Sequence, residues 1–302
     1  MPLYKIIVNP LAGKGHATVV AAEVQRIFAS LGVAYDYVQT RHAGHAIELA
    51  QEAVRAGYDV LVAVGGDGTT HEVINGMMNS SGSVGCRLAI IPAGSGNDFT
   101  AAHRIPTDIE QACQTVVKGK TRLVDIGQIT IDDTIQRYFD NTIGIGLTGL
   151  VGIETRKMPW LRGIPLYLLA LLKTVFIHLK PIHIELEVDG VSTHKTALMV
   201  SVANGQREGG GFMIAPQAKT DDGYLELLVA DVLPRMQVLG LIPKFMNGTH
   251  LGHHAVHIQQ AQNVAVTSED KLFFHVDGEI LCAFAHRIRI QILPARLRLI
   301  AP

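Results

Sequence analysis

VLVAVGGDGTTHEVING, residues 60–76, is the stretch whose reading decides the fold. Its opening run, Val60 to Val64, is apolar, short and bounded by glycine, the pattern of a strand buried in a mostly parallel sheet. Gly65 and Gly66 end the strand, Asp67 and Gly68 read as the turn, and Thr69 reads as the cap of a helix whose first turn carries Glu72. Strand, glycine turn and helix start together bring backbone N–H groups to face a phosphate, because first-turn amides have no partner inside the helix. The carboxylate of Asp67 would repel that phosphate unless a cation or a hydrogen-bond network accompanies it, which points toward magnesium–nucleotide chemistry.

The same grammar recurs on either side. Lys5 to Val8 read as a strand, followed by the loop Asn9-Pro10-Leu11-Ala12-Gly13-Lys14-Gly15 and a helix from His16 to about Leu31. Tyr35 to Gln39 form the next strand, with Thr40 just beyond it, and a helix follows that ends near Gly57. After the opening stretch come a polar loop, Ser80 to Gly85, a strand at Leu88 to Ile91, and Pro92-Ala93-Gly94-Ser95-Gly96-Asn97-Asp98-Phe99. Loops that leave successive parallel strands lie on one edge of the sheet and build one pocket. Asn9 and Gly13 are placed to shape it, Lys14 reads equally as a phosphate partner or a solvated lysine, and Asp98 is suited to a cation or a hydroxyl. Thr107 and Glu110 have the spacing of a capping box.

Beyond Leu123 the rhythm turns to strands: Ile126 to Ile131, Gln136 to Ile143, Ile182 to Val188, Ala197 to Ala203, Tyr224 to Val229, and four more between Ala255 and Ile292. Helical patterns interrupt them at Pro165 to His178 and Pro234 to Gly248. The expected architecture is an N-terminal three-layer, doubly wound α/β domain, residues 1–125, followed by an antiparallel β-sandwich, residues 126–293. The apolar segment Ile164 to Leu179 reads either as a buried core helix or as a wall of a lipid-accepting cleft or membrane contact. Asp277 and Glu279, two apart in VDGE, would share one side of an extended strand, or else Asp277-Gly278 is a hairpin turn. Asp221-Asp222-Gly223-Tyr224 reads as a turn or a cation site, His250, His253, His254 and His257 as a surface loop. His42 and His45 have a spacing compatible with metal binding, but no Cys, Asp or third His completes a local cluster.

Composition narrows the function classes. With 26 basic against 27 acidic residues there is no general attraction to nucleic acid. Cys86, Cys113 and Cys282 are widely separated and suit free thiols in a reducing compartment. No stretch reaches the length of an apolar transmembrane helix, and the N-terminus lacks a signal-peptide pattern. A cytoplasmic protein with peripheral association with the membrane is expected, and an exposed sheet edge leaves a homodimer open.

VNPLAGKG at 8–15, GGDGTTHEVING at 65–76, IPAGSGNDF at 91–99, the glycine run before APQAKTDDGYLEL at 215–227, and VDGE at 276–279 together resemble the diacylglycerol kinase catalytic family, specifically the bacterial soluble lipid kinases related to sphingosine and ceramide kinases. The resemblance runs nearly the full length. It implies transfer of the γ-phosphoryl group of ATP, with Mg2+, to the hydroxyl of a lipid presented at a membrane surface, the nucleotide lying between the two domains. By motif match the nucleotide contacts would be Asn9, Gly13, Thr40, Gly65, Gly66, Asp67, Gly68, Thr69, Thr70 and Ser95. Glu279 matches the proton acceptor, with Asp277 beside it; Asp98 joins them as a catalytic carboxylate or magnesium partner. Asp222 matches a carboxylate ligand of a structural Mg2+, with backbone carbonyls falling on Lys219 and Tyr224. Residues 294–302 match a tail that returns to the first domain. His71 stands where many relatives carry asparagine, and Ser95 where many carry threonine.

Diacylglycerol is the first acceptor to consider. Sphingosine-like lipids, phosphatidylglycerol, undecaprenol or NAD remain alternatives within the fold, and a nucleotide-binding regulator without catalysis is the alternative from another class.

Overall fold

Four parallel strands organise the first part of the chain: β1 (Tyr4–Val8), β2 (Tyr35–Gln39), β3 (Val60–Gly65) and β4 (Arg87–Pro92), in the order β2-β1-β3-β4. The computed structural model describes residues 2–80, 85–158, 160–161 and 163–302. It divides into two units, Met1–Val124 with Ala295–Pro302, and Asp125–Pro294. The polar loop expected at 80–85 lies mostly outside the described residues.

Every residue of β3 is buried, as its unbroken apolar run requires. Val60, Val62 and Val64 pack with α1 (His16–Ser30) and, further along the chain, α5 (Ile109–Lys118), through Val20, Val24, Phe28, Ala112 and Val116. The alternate residues Leu61 and Ala63 are equally buried, and α2 (His45–Arg55) and α3 (Asp67–Met78) pack on that side of β1 and β3. The helices therefore cover both faces, with α4 (Asp98–Ala102) a short turn after β4. Burial pushes the thiols of Cys86 and Cys113 up to about 11 and about 12, so both stay protonated and inert.

Two helix starts differ from the sequence reading. Gly66, extended at φ −102°, is the residue that precedes α3, so Asp67 and Gly68 belong to its first turn and Thr69 is not the cap. For α5 the cap is Asp108, which accepts the Gln111 amide at 3.0 Å; Thr107 and Glu110 form no capping box, because the helix starts one residue later and Asp108 takes the N-cap position.

The second unit begins within β5 (Lys120–Ile131), which pairs with β6 (Ile135–Phe139). The single strand expected at 136–143 is broken at Asp140 and Asn141, and β7 (Thr142–Gly146) follows. Then come α6 (Leu147–Arg156), α7 (Gly163–Lys173) and a π-helical turn, Thr174–His178. β8 (Ile182–Val188), β9 (Val191–Ala203), the two-residue strands β10 (Arg207–Glu208) and β11 (Phe212–Met213), and β12 (Leu225–Asp231) lead to α8 (Arg235–Asn247). β13 (Val256–Ala261), β14 (Asn263–Leu272), β15 (Phe274–Val276) and β16 (Ala285–Ala301) complete the chain. The antiparallel order is β13-β12-β9-β8-β14-β16, with β7 pairing both β9 and β15. The last residues of β16 belong to the first unit, where Leu299 pairs with Leu88.

Helix α6 went unread in the sequence because glycines at 146, 149 and 152 argue against a helix. Packing overrides propensity here: a side chain on Gly149 would overlap the Phe273 carbonyl. His250, expected on the surface, is buried, stacked 4.0 Å from the Phe245 ring and bonded through Nε2 to the Ile214 carbonyl. Helix α7 is not a buried core helix: only Ala170 is fully covered, and Ile164 and Leu169 are exposed.

Candidate functional site

In the first unit the ends of β1, β3 and β4 bring three loops together at backbone distance. The amide of Asn9 donates to the Val64 carbonyl at 3.1 Å, and the amide of Ala93 donates to the Gly65 carbonyl at 2.7 Å. Side chains tighten the join: Asn9 Nδ2 donates to Thr69 Oγ1 at 3.1 Å, and Asn9 Oδ1 accepts the Leu11 amide. The glycines are required by contact. A Cβ on Gly94 would overlap Gly66 Cα, and one on Gly65 would overlap the Thr69 side chain. Gly13 sits at φ +58° with the Ala93 carbonyl where a Cβ would go, so it needs glycine on two counts.

The predicted nucleotide residues therefore converge. Asn9, Gly13, Gly65, Gly66, Asp67, Gly68, Thr69, Thr70 and Ser95 lie on the three loops, and the Thr40 amide bonds to the Val8 carbonyl at the same edge. They are not equally accessible. Thr69 and Thr70 are buried and their amides both donate to the Gly66 carbonyl, whereas Gly68 and Ser95 are exposed and Asp67 is half-buried. Asp67 Oδ2 lies 2.6 Å from where a Cβ on Gly96 would stand, so that glycine admits the carboxylate. Asp98 is buried in the first turn of α4, and His71 is buried with Nε2 at 3.2 Å from Asn75 Nδ2. Glu72, one position on, accepts the amides of Gly44 and Ala46 at 2.8 and 3.1 Å and caps α2, a link between distant segments that local sequence does not show.

In the second unit VDGE is a two-residue hairpin. Val276 and Glu279 exchange backbone hydrogen bonds at 2.9 and 2.8 Å, and Asp277 and Gly278 have φ +49° and +80°, a type I′ turn. The extended alternative is thereby corrected: Asp277 lies in the turn itself and Glu279 follows it. The Asp277 carboxylate accepts the amides of Asp140, Asn141 and Thr142 at 3.0, 3.0 and 2.8 Å. It braces the break between β6 and β7, while Glu279 stands half-buried just past the turn.

Asp222 Oδ1 accepts the Tyr224 amide, and the neighbouring Gly223 amide donates to Asp125 at 2.7 Å. Gln260 Nε2 reaches both Asp222, at 3.5 Å, and Glu226, at 3.3 Å. Burial first, and the Asp222 charge with it, hold the Glu226 carboxyl above the usual range despite that amide. Asp222 and Glu226 thus share one amide donor, and their carboxylate oxygens are of the hard type that Mg2+ takes. In the first unit His42, His45 and Glu48 also bring one ligating atom each within 4.8 Å. There, however, His45 Nδ1 accepts the Arg41 amide, which leaves the proton on its other nitrogen.

An apolar pocket of about 90 Å3 lies within the second unit, walled by α6, α7 and α8 against Leu198, Met199 and Ala230. The glycine run passes beside it. A Cβ on Gly209 would come 2.9 Å from the Tyr167 ring, and one on Gly211 would come 2.8 Å from Ile164. Tyr167, which lines the pocket, also carries its hydroxyl to 3.8 Å from the Cβ position of Gly278, in the turn that bears Glu279.

Comparison with known proteins places these features. Residues 4–129 match the diacylglycerol kinase catalytic domain, and residues 141–301 match the YegS C-terminal NAD kinase beta sandwich-like domain. The chain is 30% identical to a diacylglycerol kinase of Bacillus subtilis over 91% of its length and 89% of the relative's. It is 29% identical to one of Mycobacterium tuberculosis over 98% and 94%. A crystal structure of a diacylglycerol kinase from Bacillus anthracis superposes with a TM-score of 0.75 at 22% identity, covering 100% of this chain and 97% of that one. The two matched domains, in this order and over nearly the whole length, show that the chain belongs to the bacterial soluble lipid kinase family.

Proposed function

We propose that this protein is an ATP-dependent kinase that transfers the γ-phosphoryl group to the hydroxyl of a lipid, diacylglycerol being the first candidate. The observation that carries the reading is the apolar pocket whose Tyr167 reaches the Glu279 turn. An acceptor site for a polar molecule such as NAD would be lined by polar groups; an acyl chain needs this one's aliphatic walls.

The loops at Asn9–Gly15, Gly66–Thr70 and Ala93–Asp98 are the donor side, where glycines let backbone approach a triphosphate. In the reaction the acceptor oxygen bonds to the γ-phosphorus, the bond from that phosphorus to the β,γ-bridging oxygen breaks, and ADP leaves with the electron pair. The hydroxyl proton passes to Glu279. Asp277 is less suited to that task, because three backbone amides already donate to its carboxylate. Magnesium, when bound, neutralises phosphate charge; Asp67 and Asp98 would hold it at the nucleotide, and Asp222 with the carbonyls of Lys219 and Tyr224 would hold a structural ion. Exposed Trp160, Phe176 and Ile177 support work at a membrane surface, and no helix among the described residues is long and apolar enough to cross one.

The test is incubation of the folded protein with Mg-ATP and, separately, diacylglycerol, sphingosine, ceramide, phosphatidylglycerol and undecaprenol. A phosphorylated lipid product is expected. Absence of product across the set, with ATP still bound, would turn the reading toward a nucleotide-binding regulator.

A further inference from the structure

The apolar pocket has a polar end. Glu208 projects there with its side chain only 15% exposed, and its Oε1 accepts from His275 Nε2 at 2.8 Å. The imidazole of His275 is fully buried, and its Nδ1 accepts the Gly278 amide at 3.3 Å, which assigns the proton to Nε2. The second oxygen of Glu208, Oε2, is buried and has no hydrogen-bond partner among the described residues. Neither has the hydroxyl of Thr148, which also lines the pocket. These groups are neighbours: Thr148 Oγ1 and His275 Nε2 both crowd the space where a Cβ on Gly144 would stand. The other acidic group on the pocket wall, Asp231, is about half exposed and paired with His257 at 2.8 Å.

A buried carboxylate oxygen is an acceptor and nothing else, so it calls for a ligand that donates. In an apolar pocket it also repels an anion, with little water to screen the charge. The Thr148 hydroxyl can donate to or accept from a second oxygen beside the first. We infer that Glu208 Oε2 and Thr148 Oγ1 read the hydroxyls of an uncharged lipid head whose chain fills the pocket, and so select glycerol-type lipids over anionic ones. This rests on the lipid-acceptor reading above and adds the residues that set its head-group preference. Glu208 would contact the head group without taking the transferred proton, which is assigned to Glu279.

The experiment is equilibrium binding of 1-oleoylglycerol and of 1-oleoyl-lysophosphatidate, in detergent-free buffer below their aggregation thresholds, to the wild-type chain and to Glu208→Gln and Thr148→Val. Lipid kinase assays with both lipids run in parallel, and thermal melting checks that the variants fold. The wild type is expected to bind the neutral lipid more tightly by roughly ten- to a hundredfold, as one charge-assisted hydrogen bond implies. Glu208→Gln should shrink that ratio to within about threefold, mostly by losing affinity for the neutral lipid. Thr148→Val should weaken neutral-lipid binding alone. If both folded variants keep the wild-type ratio and affinity, the inference is overturned, and a lipid kinase activity that persists unchanged leaves the broader reading standing. If lipid binding shows the expected ratio and variant response while no lipid is phosphorylated, the head-group site stands and the kinase reading falls.

Discussion

Asp277 and Thr142 exchange a pair of hydrogen bonds: the Asp277 amide donates to the Thr142 carbonyl at 2.8 Å, and the Thr142 amide donates to Asp277 Oδ1 at 2.8 Å. With the amides of Asp140 and Asn141 on the same carboxylate, the side chain closes the gap between β6 and β7 onto the turn that carries Glu279. Asp277→Asn replaces one accepting oxygen by a donor facing amides. The expected result is a loss of about 3 kcal/mol, by comparison with other buried charge-assisted networks. Urea unfolding measures it; a midpoint equal to the wild type would remove the bracing role.

Glu279→Gln should behave in the opposite way. Its stability is expected to match the wild type and ATP binding to persist, while single-turnover phosphoryl transfer falls by roughly two to four orders of magnitude. A variant as fast as the wild type would place the base elsewhere.

The close approach of Gly66 and Gly94 carries a third expectation. Alanine at 94 would drive its methyl into Gly66 Cα, which is backbone and has little room to yield. Gly94→Ala is expected to destabilise the first unit by about 2 kcal/mol and to weaken ATP binding. Gly85→Ala, with nothing within 4 Å of its Cβ position, is the control and should be near neutral. Calorimetric titration of ATP into both variants decides the matter, and equal affinities would count against loop contact as the basis of the site.

Glu154 offers a pH test. Burial raises its pKa, yet hydrogen bonds and charge from Lys157, at 2.5 Å, and Lys173, at 2.7 Å, outweigh it and hold the carboxyl below its ordinary value. A folded pKa below the unfolded one means that the stabilisation is complete above about pH 4.3 and disappears as pH falls through the lowered folded value. The urea-midpoint difference between wild type and Glu154→Gln should thus be largest near pH 6 and shrink on acidification. A difference that stays constant down to the acid limit would show that packing, not charge, joins α6 to α7.

Glycine spacing and apolar runs were enough to reveal β3 and β4 and the loops that leave them, because a strand buried on both faces has to be apolar and close backbone approach has to use glycine. Local rules did worse where the deciding partner lies far along the chain. Thr69 looked like a cap, yet its hydroxyl accepts from Asn9, 60 residues away, and the helix starts before it. Helix α6 hid behind its glycines until Phe273 supplied the reason for one of them.

What the sequence by itself determined is the order of the motifs, and with them the family, the parallel-sheet edge and the acidic residues that the proposed chemistry would use. Only the tertiary structure decided what surrounds each of those acids. Asp277 and Glu279 look interchangeable in VDGE, but a type I′ turn sends one carboxylate onto three amides, and only folding brings those amides to it. The same holds for Glu208, an unremarkable letter before a glycine run until folding seats it at the end of an apolar pocket against His275. A residue's type sets what it is able to do; the loss of water around it and the donors that three-dimensional packing places at hydrogen-bond distance set what it does.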